Sequence, residues 1–124
     1  MDQNIRDALA RDRIIDITTT GRTSGKPSRI EMWFHNVDGD IYISGSPGTR
    51  DWYANMVANP EFTFHLKRST VADLPARATP ITDEESRREI MCRILRDINK
   101  PENLDAWVSG SPLVAVTFED DSIR

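Results

Sequence analysis

The chain has 124 residues, 38% of them apolar, with 16 Lys and Arg against 20 Asp and Glu and a formal charge of −4. That length suits one domain, residues 1–124, able to bury roughly two thirds of its unfolded surface, and the acidic balance argues against a general nucleic-acid binder. Apolar runs such as Leu113 to Val116 fall far short of the roughly twenty residues a membrane-spanning helix needs, so no stable membrane insertion is expected.

Asp2 can cap a short helix within residues 1–12, with Ile5, Ala8 and Leu9 on one face as a brace against the body of the domain. The start, Met1-Asp2-Gln3-Asn4, lacks the basic and apolar stretches of a secretory leader, and the lone Cys92 cannot close an internal disulfide. A reducing cytoplasm is therefore expected. Residues 13–118 read as a barrel. Ile14 to Thr20 is β-branched apart from Asp16 and forms the first strand. A turn broken by Gly21, Gly25 and Pro27 follows, and a second strand runs from about Ser28 to Val37.

Asp38-Gly39 supplies the two positive-φ positions of a type I′ turn, so Asp40 to Ser44 should pair back antiparallel. Thr49 can cap a helix over about Arg50 to Ala58, stopped by Asn59-Pro60. Glu61 to Lys67 alternates Phe62, Phe64 and Leu66 inward with Thr63, His65 and Lys67 outward. In Ala72 to Pro80, Pro75 removes a ladder donor, which places that strand at an edge or a bulge. Thr82 and Glu85 make a capping-box pattern ahead of a long helix with Ile90, Met91, Ile94, Leu95 and Ile98 on one face. Leu113 to Phe118 closes the chain as a sixth strand. The expected fold is α+β, mainly β: a six-stranded antiparallel barrel with one long helix before the last strand.

From Ile17 to Ile30 there is no acidic residue at all, while Arg22, Lys26 and Arg29 lie there together. Hydroxyls, glycine amides and two cations in the segment Thr18 to Pro27 suit a small anionic ligand; the same composition also describes a solvated surface turn. His35 and His65 sit on different strands without partners at ligand spacing, so they read as solvent-facing and no metal site is expected. Trp33, Trp52 and Trp107 read as core aromatics unless a site claims them.

The ordered series Thr19-Thr20-Gly21-Arg22-x-Ser24-Gly25-x-Pro27, Trp33-Phe34, the Asp38-Gly39 turn, Ser44-Gly45-Ser46-Pro47-Gly48, Trp52-Tyr53-Ala54-Asn55 and Ala58-Asn59-Pro60 resembles the deazaflavin-dependent nitroreductase family over about Ile14 to Phe118. The resemblance implies a split β-barrel related to pyridoxamine-phosphate-oxidase-like flavin proteins. It further implies an oxidoreductase that binds coenzyme F-420, with FMN as the alternative, and passes a hydride to a quinone- or nitro-type acceptor. Carried over by position, Arg22, Thr23, Ser24 and Gly25 would meet the phosphate and acidic tail. Ser44, Gly45, Ser46 and Gly48 would lie beside ring and phosphate, and Trp33, Trp52 and Tyr53 would wall the ring. Tyr53 and Ser44 would be the candidates to donate or relay a proton.

The chain departs from the family pattern at Thr23, where a lysine is common, and in Ser46-Pro47-Gly48-Thr49, which replaces a Ser-Lys-Gly-Gly segment; Arg50 restores one charge. Before the last strand, Lys100 to Ala106 lacks the tyrosines of nitro-reducing relatives, although Trp107 is kept. The resemblance also implies a possible homodimer. A barrel that binds the cofactor or another anion without turnover is the reading from a different class.

Overall fold

In the computed structural model, which describes residues 2–119, helix α1 (Gln3–Arg11) starts where the Asp2 carboxylate accepts the Asn4 N–H at 2.7 Å. It buries Ala8 and Leu9, and Asn36 Nδ2 ties it to the sheet by donating to the Leu9 carbonyl at 3.0 Å. Strands β1 (Ile14–Thr20) and β2 (Pro27–Trp33) follow, then β3 (His35–Val37) and β4 (Asp40–Ser44). Helix α2 (Asp51–Ala58) leads to β5 (Glu61–Leu66) and β6 (Ala72–Pro80). Helix α3 (Glu84–Asp97), a short 3-10 turn (Pro101–Asn103) and helix α4 (Leu104–Gly110) precede β7 (Leu113–Phe118).

Neighbouring strands are antiparallel in one curled sheet ordered β2-β1-β5-β6-β7-β4-β3. The sheet has seven strands rather than six because the expected Ser28 to Val37 strand breaks at Phe34. Phe34 is fully buried, its N–H donates to the Arg13 carbonyl at 2.9 Å, and its ring meets Phe64 edge-on at 5.2 Å. Residues up to Trp33 pair with β1 and residues from His35 pair with β4, at opposite ends of the sheet, so the chain turns a corner between them. The two outermost strands are thus consecutive in sequence, and the curled sheet is joined across its split by one residue.

Further expectations are corrected. The strand containing Pro75 is interior, between β5 and β7, not at an edge. Pro75 is tolerated because it lies just past the β7 ladder, which ends at the Ala76–Phe118 pair, and there its carbonyl still accepts from Glu119 N–H at 3.2 Å. The long helix is also one of four, and Asp83 rather than Thr82 caps it, accepting the Ser86 N–H at 2.9 Å. Helix α2 starts at Asp51 and no side chain caps it, so Thr49 does not have the capping role expected of it.

The Asp38-Gly39 hairpin forms with both residues at positive φ, 52° and 94°. Its register, His35 opposite Tyr42, makes β4 a wall buried on both faces. Ile41 and Ile43 enter the main core with Phe34, Phe64 and Phe118, whereas Tyr42 packs against a second cluster formed by Met91, Ile94, Leu95, Trp107 and Leu113. Helix α3 ends in a Schellman turn: Asn99 takes φ 60°, its N–H donates to Arg96 O at 3.2 Å, and Lys100 N–H reaches Leu95 O at 2.7 Å. That turn carries residues 98–100 over the open end of β3 and β4.

Candidate functional site

Two cavities flank the loop that links β4 to α2. The first, about 590 Å³, lies where the barrel splits. Trp33 at the end of β2 and Trp107 on α4 contribute aromatic surface, and His35, Gly45 and Ser46 line it from β3 and the loop. Lys100, set by the Schellman turn, adds a cation. The second, about 650 Å³, is lined by Gly48, Arg50 and Tyr53 on one side and by Arg87, Gly110 and Ser111 on the other. Sites that hold ring-bearing ligands commonly span about 300–1,000 Å³ and mix apolar walls with a few polar groups, and both cavities fall in that range.

The dividing loop is held from within. Arg50 donates to Ser46 O at 2.9 Å and to Thr49 O at 3.0 Å, and Gly48 N–H donates to the Gly110 carbonyl at 3.0 Å, tying the loop to α4. Arg87 anchors the far side, with its guanidinium donating to the carbonyls of Ile81, Trp107, Val108 and Ser111. Three carbonyls between the end of α4 and the start of β7, and a fourth just after β6, are thereby satisfied by one planar cation.

The structure separates the residues that the sequence pattern grouped. Trp33, Ser44, Gly45 and Ser46 meet at the first cavity, and Gly48 and Tyr53 at the second. Ser44 is buried and its hydroxyl already donates to Pro112 O at 2.6 Å, so its proton is committed to the scaffold rather than free for relay. Trp52, expected as a ring wall, is 6% exposed and packed in the main core, with Tyr53 edge-on at 6.1 Å. Arg22 to Gly25 form the turn between β1 and β2 and line neither cavity. Arg22 is engaged with α2: its backbone N–H and Nη1 both donate to Asn55 Oδ1, at 3.1 and 2.9 Å, and Nη2 donates to Asp51 at 3.2 Å. Thr23 is exposed, Ser24 Oγ accepts the Lys26 N–H at 3.2 Å, and Gly25 holds the turn at φ 69°.

Both histidines are buried, against expectation. His65 is 6% exposed because Thr18 and Asp73 sandwich its ring, each with an oxygen 2.7 Å from a ring nitrogen. His35 is 4% exposed and its Nδ1 has no hydrogen-bond partner. Burial, reinforced by the neighbouring Arg13 charge and opposed by Asp97, pushes its pKa down to about 4, so the imidazole is neutral at pH 7. Arg13 and Asp97 are themselves paired at the cavity, with the guanidinium raised and the carboxyl lowered by that hydrogen bond. The other buried side-chain atom without a partner among the described residues is Ser111 Oγ, beside the second cavity. Each cavity thus has in its lining one residue with a buried polar atom that the fold leaves unsatisfied, at a cost of roughly 1–3 kcal/mol. Among the described residues no three His, Cys, Asp or Glu side chains come together to hold a metal ion.

His35 was within reach of the sequence. Counting back from the Asp38-Gly39 turn pairs it with Tyr42, two residues before Ser44, on the face that meets α3. Arg87 and Ser111 carried no comparable signal, since their roles depend on how α4 packs.

The curled seven-stranded half-barrel with its split-side cavity is the fold of the flavin-type split-barrel proteins. A conserved hypothetical protein of Mycobacterium tuberculosis is similar to this chain with TM-score 0.75 and 18% identity, covering 96% of this chain and 81% of that one. An FAD-binding protein of Mesorhizobium loti gives TM-score 0.67 and 15% identity over 97% and 91%. A structure described as an F420-H2 dependent reductase gives 0.60 and 22% over 86% and 95%. The family model described as F420H(2)-dependent quinone reductase matches residues 3–116, and the chain belongs to that family. It is therefore an oxidoreductase that works with coenzyme F-420.

Proposed function

We propose that the protein passes a hydride from reduced coenzyme F-420 to a quinone-type acceptor, using the first cavity to hold the reacting rings. The observation that carries this reading is the cavity itself: aromatic surface from Trp33 and Trp107, the loop residues Gly45 and Ser46, and the Lys100 cation. A tricyclic ring suits those walls and the volume of about 590 Å³. When bound, the coenzyme supplies the hydride, and the acceptor completes its two-electron reduction by taking up a proton.

The protein's share is binding, orientation and exclusion of water. Trp33, 53% exposed, offers a face that a ring can cover, whereas Trp107 is already buried on α4 and forms a fixed wall. Lys100 at the rim and Arg50 on the loop are the cations placed to meet the anionic tail. Of the two candidate proton relays, Tyr53 lines the second cavity, across the loop from the ring site, and the Ser44 hydroxyl is engaged with Pro112, so neither is placed to hand a proton to the acceptor. We read the chain as one working domain, because α3, α4 and the barrel share β4 as a common wall.

Fluorescence titration of the purified protein with F-420 and separately with FMN tests the assignment, followed by oxidation of reduced F-420 with a naphthoquinone added. Micromolar or tighter F-420 binding and quinone-dependent oxidation are expected. Preference for FMN would move the protein to the flavin branch, and binding without oxidation would make it a carrier. Trp33→Ala should weaken F-420 binding by about 1 kcal/mol, roughly fivefold, through loss of ring contact, with no change in unfolding midpoint because the side chain is half exposed.

A further inference from the structure

Strand β2 stands at one end of the sheet, paired with β1 on one side and with no strand among the described residues on the other. Ile15 and Ile17 of β1 are fully buried, yet Met32 and Ile30, which lie opposite them on the same face, are half-buried and 36% exposed respectively. Every other residue of β2 is exposed. The direction of its free backbone groups follows from the bonds that flank the β1–β2 ladder. Gly21 N–H donates to Lys26 O at 2.8 Å and Phe34 N–H to Arg13 O at 2.9 Å, so Lys26 and Phe34 belong to hydrogen-bonded pairs. Such pairs alternate with non-bonded ones along an antiparallel ladder, which turns the backbone of Ser28, Ile30 and Met32 toward β1 and that of Pro27, Arg29, Glu31 and Trp33 toward the open edge. Pro27, with no N–H to donate, falls in the outward set.

An open edge seven residues long is a template for a further strand, and its own sequence is the complement. When two β2 strands pair antiparallel, the outward-pointing residues must face one another. Centring the pair on Arg29 sets arginine against arginine, and centring it on Glu31 sets glutamate against glutamate. Centring it on Ile30 sets each Arg29 against the other strand's Glu31 and aligns all seven residues. Opposite charges in direct cross-strand pairs stabilise and like charges destabilise, so the charges select this register. Arg29 meets Asp16 through Nε, and Glu31 meets Lys67 through one carboxylate oxygen. Both side chains are more than half exposed, with bonding capacity left for a neighbour.

We propose that β2 pairs antiparallel with β2 of a second copy of this chain, centred on Ile30, so that the two sheets join across a two-fold axis. Arg29 and the partner's Glu31 exchange main-chain hydrogen bonds and meet through their side chains, and Ile30 packs on the partner's Ile30. Trp33 lies opposite the partner's Pro27, which carries the interface up to the rim of the first cavity. The pairing does not depend on what that cavity binds. A contact made by one strand from each copy belongs to the weak class of interfaces, with a dissociation constant in the micromolar range.

Sedimentation velocity of the full chain over about 1 to 200 μM reads the equilibrium and should show a monomer passing into a dimer. Arg29→Glu and Glu31→Arg each create two like-charged pairs across the axis and should raise the dissociation constant roughly tenfold or more. Mixing the two variants in equal amounts should restore a mixed dimer, because every charge then meets its opposite; the double variant should dimerise like the wild type for the same reason. Thermal unfolding of each variant confirms that it is folded. The register is read separately by Ile30→Cys in a Cys92→Ser background. A non-hydrogen-bonded pair on the axis brings the two Cα atoms to about 4.5 Å, within disulfide reach, so mild oxidation should give a covalent dimer. Ser28→Cys, set opposite the partner's Met32, should give none. A wild type that stays monomeric throughout would leave the edge to another strand and overturn the proposal. So would a dimer unmoved by both single variants, or one that they weaken and that their mixture does not restore.

Discussion

Arg22 spends its hydrogen-bonding capacity inside the protein. Its backbone N–H and Nη1 converge on Asn55 Oδ1, Nη2 reaches Asp51, and Asn55 Nδ2 continues the chain to Thr19 Oγ1 at 3.3 Å, linking the β1–β2 turn to α2. Asn55 is buried, so removing the guanidinium leaves part of its carbonyl oxygen's bonding to the Arg22 backbone alone. Arg22→Ala should therefore lower stability by about 1 kcal/mol, read as a fall in denaturant midpoint at constant m-value, while F-420 affinity changes by less than about threefold. A loss of affinity beyond tenfold with stability intact would return Arg22 to the role of tail anchor that its sequence context suggests. A motif match gives the residue's identity and place along the chain, but its hydrogen-bond partners come from α2, some thirty positions later.

At the scale of elements, the caps make the clearest discrimination. Thr82 and Asp83 are adjacent candidates to start α3, and the Asp83 carboxylate is the one that accepts the Ser86 N–H; that bond holds its carboxyl below the usual range. Asp83→Ala should destabilise by about 1 kcal/mol and Thr82→Ala by no more than a few tenths, measured by thermal unfolding of both variants. Equal losses would mean that the first turn is capped from both positions. Much of the element order was legible because its signals are local: β1, β4 and β6 begin and end at the residues expected from β-branching, the Asp-Gly turn and proline placement. The corner at Phe34 was not, since it is imposed by the sheet closing on itself, and the Trp33-Phe34-His35 stretch reads as continuous strand. Helix α4 was hidden for a related reason. Its seven residues are too few to show a period, and Trp107 and Val108 are buried by packing onto α3 rather than by any local preference. The same limit applies to the site: its loops were visible as motifs, but which of them face one cavity depended on that packing.

For the whole molecule, the groups whose pKa is lowered on folding all lose their contribution to stability as the pH falls. The His35 pKa falls from 6.5 to about 4 on folding, so between those values the unfolded chain holds more protons than the folded one. Stability is then fully present above about pH 6.5 and drains away toward pH 4, by about 3 kcal/mol from this one buried ring. The carboxylates follow at lower pH. Asp16 is lowered by hydrogen bonds from Lys67 and Arg29, Asp73 by His65, and Asp97 by Arg13, so their contributions are present above the ordinary carboxylate pKa and disappear as acid protonates them. Those pairs lie at the surface and each adds little. Acid destabilisation should therefore come in two limbs, a first between pH 6.5 and 4 set by His35 and a second below it shared among the carboxylates. Urea midpoints measured from pH 7 to 3 should show the first limb in the wild type and its disappearance in His35→Leu, with the second limb unchanged. A first limb that persists without the imidazole would assign it to a different titrating group and would mean that His35 is not buried neutral in the folded protein.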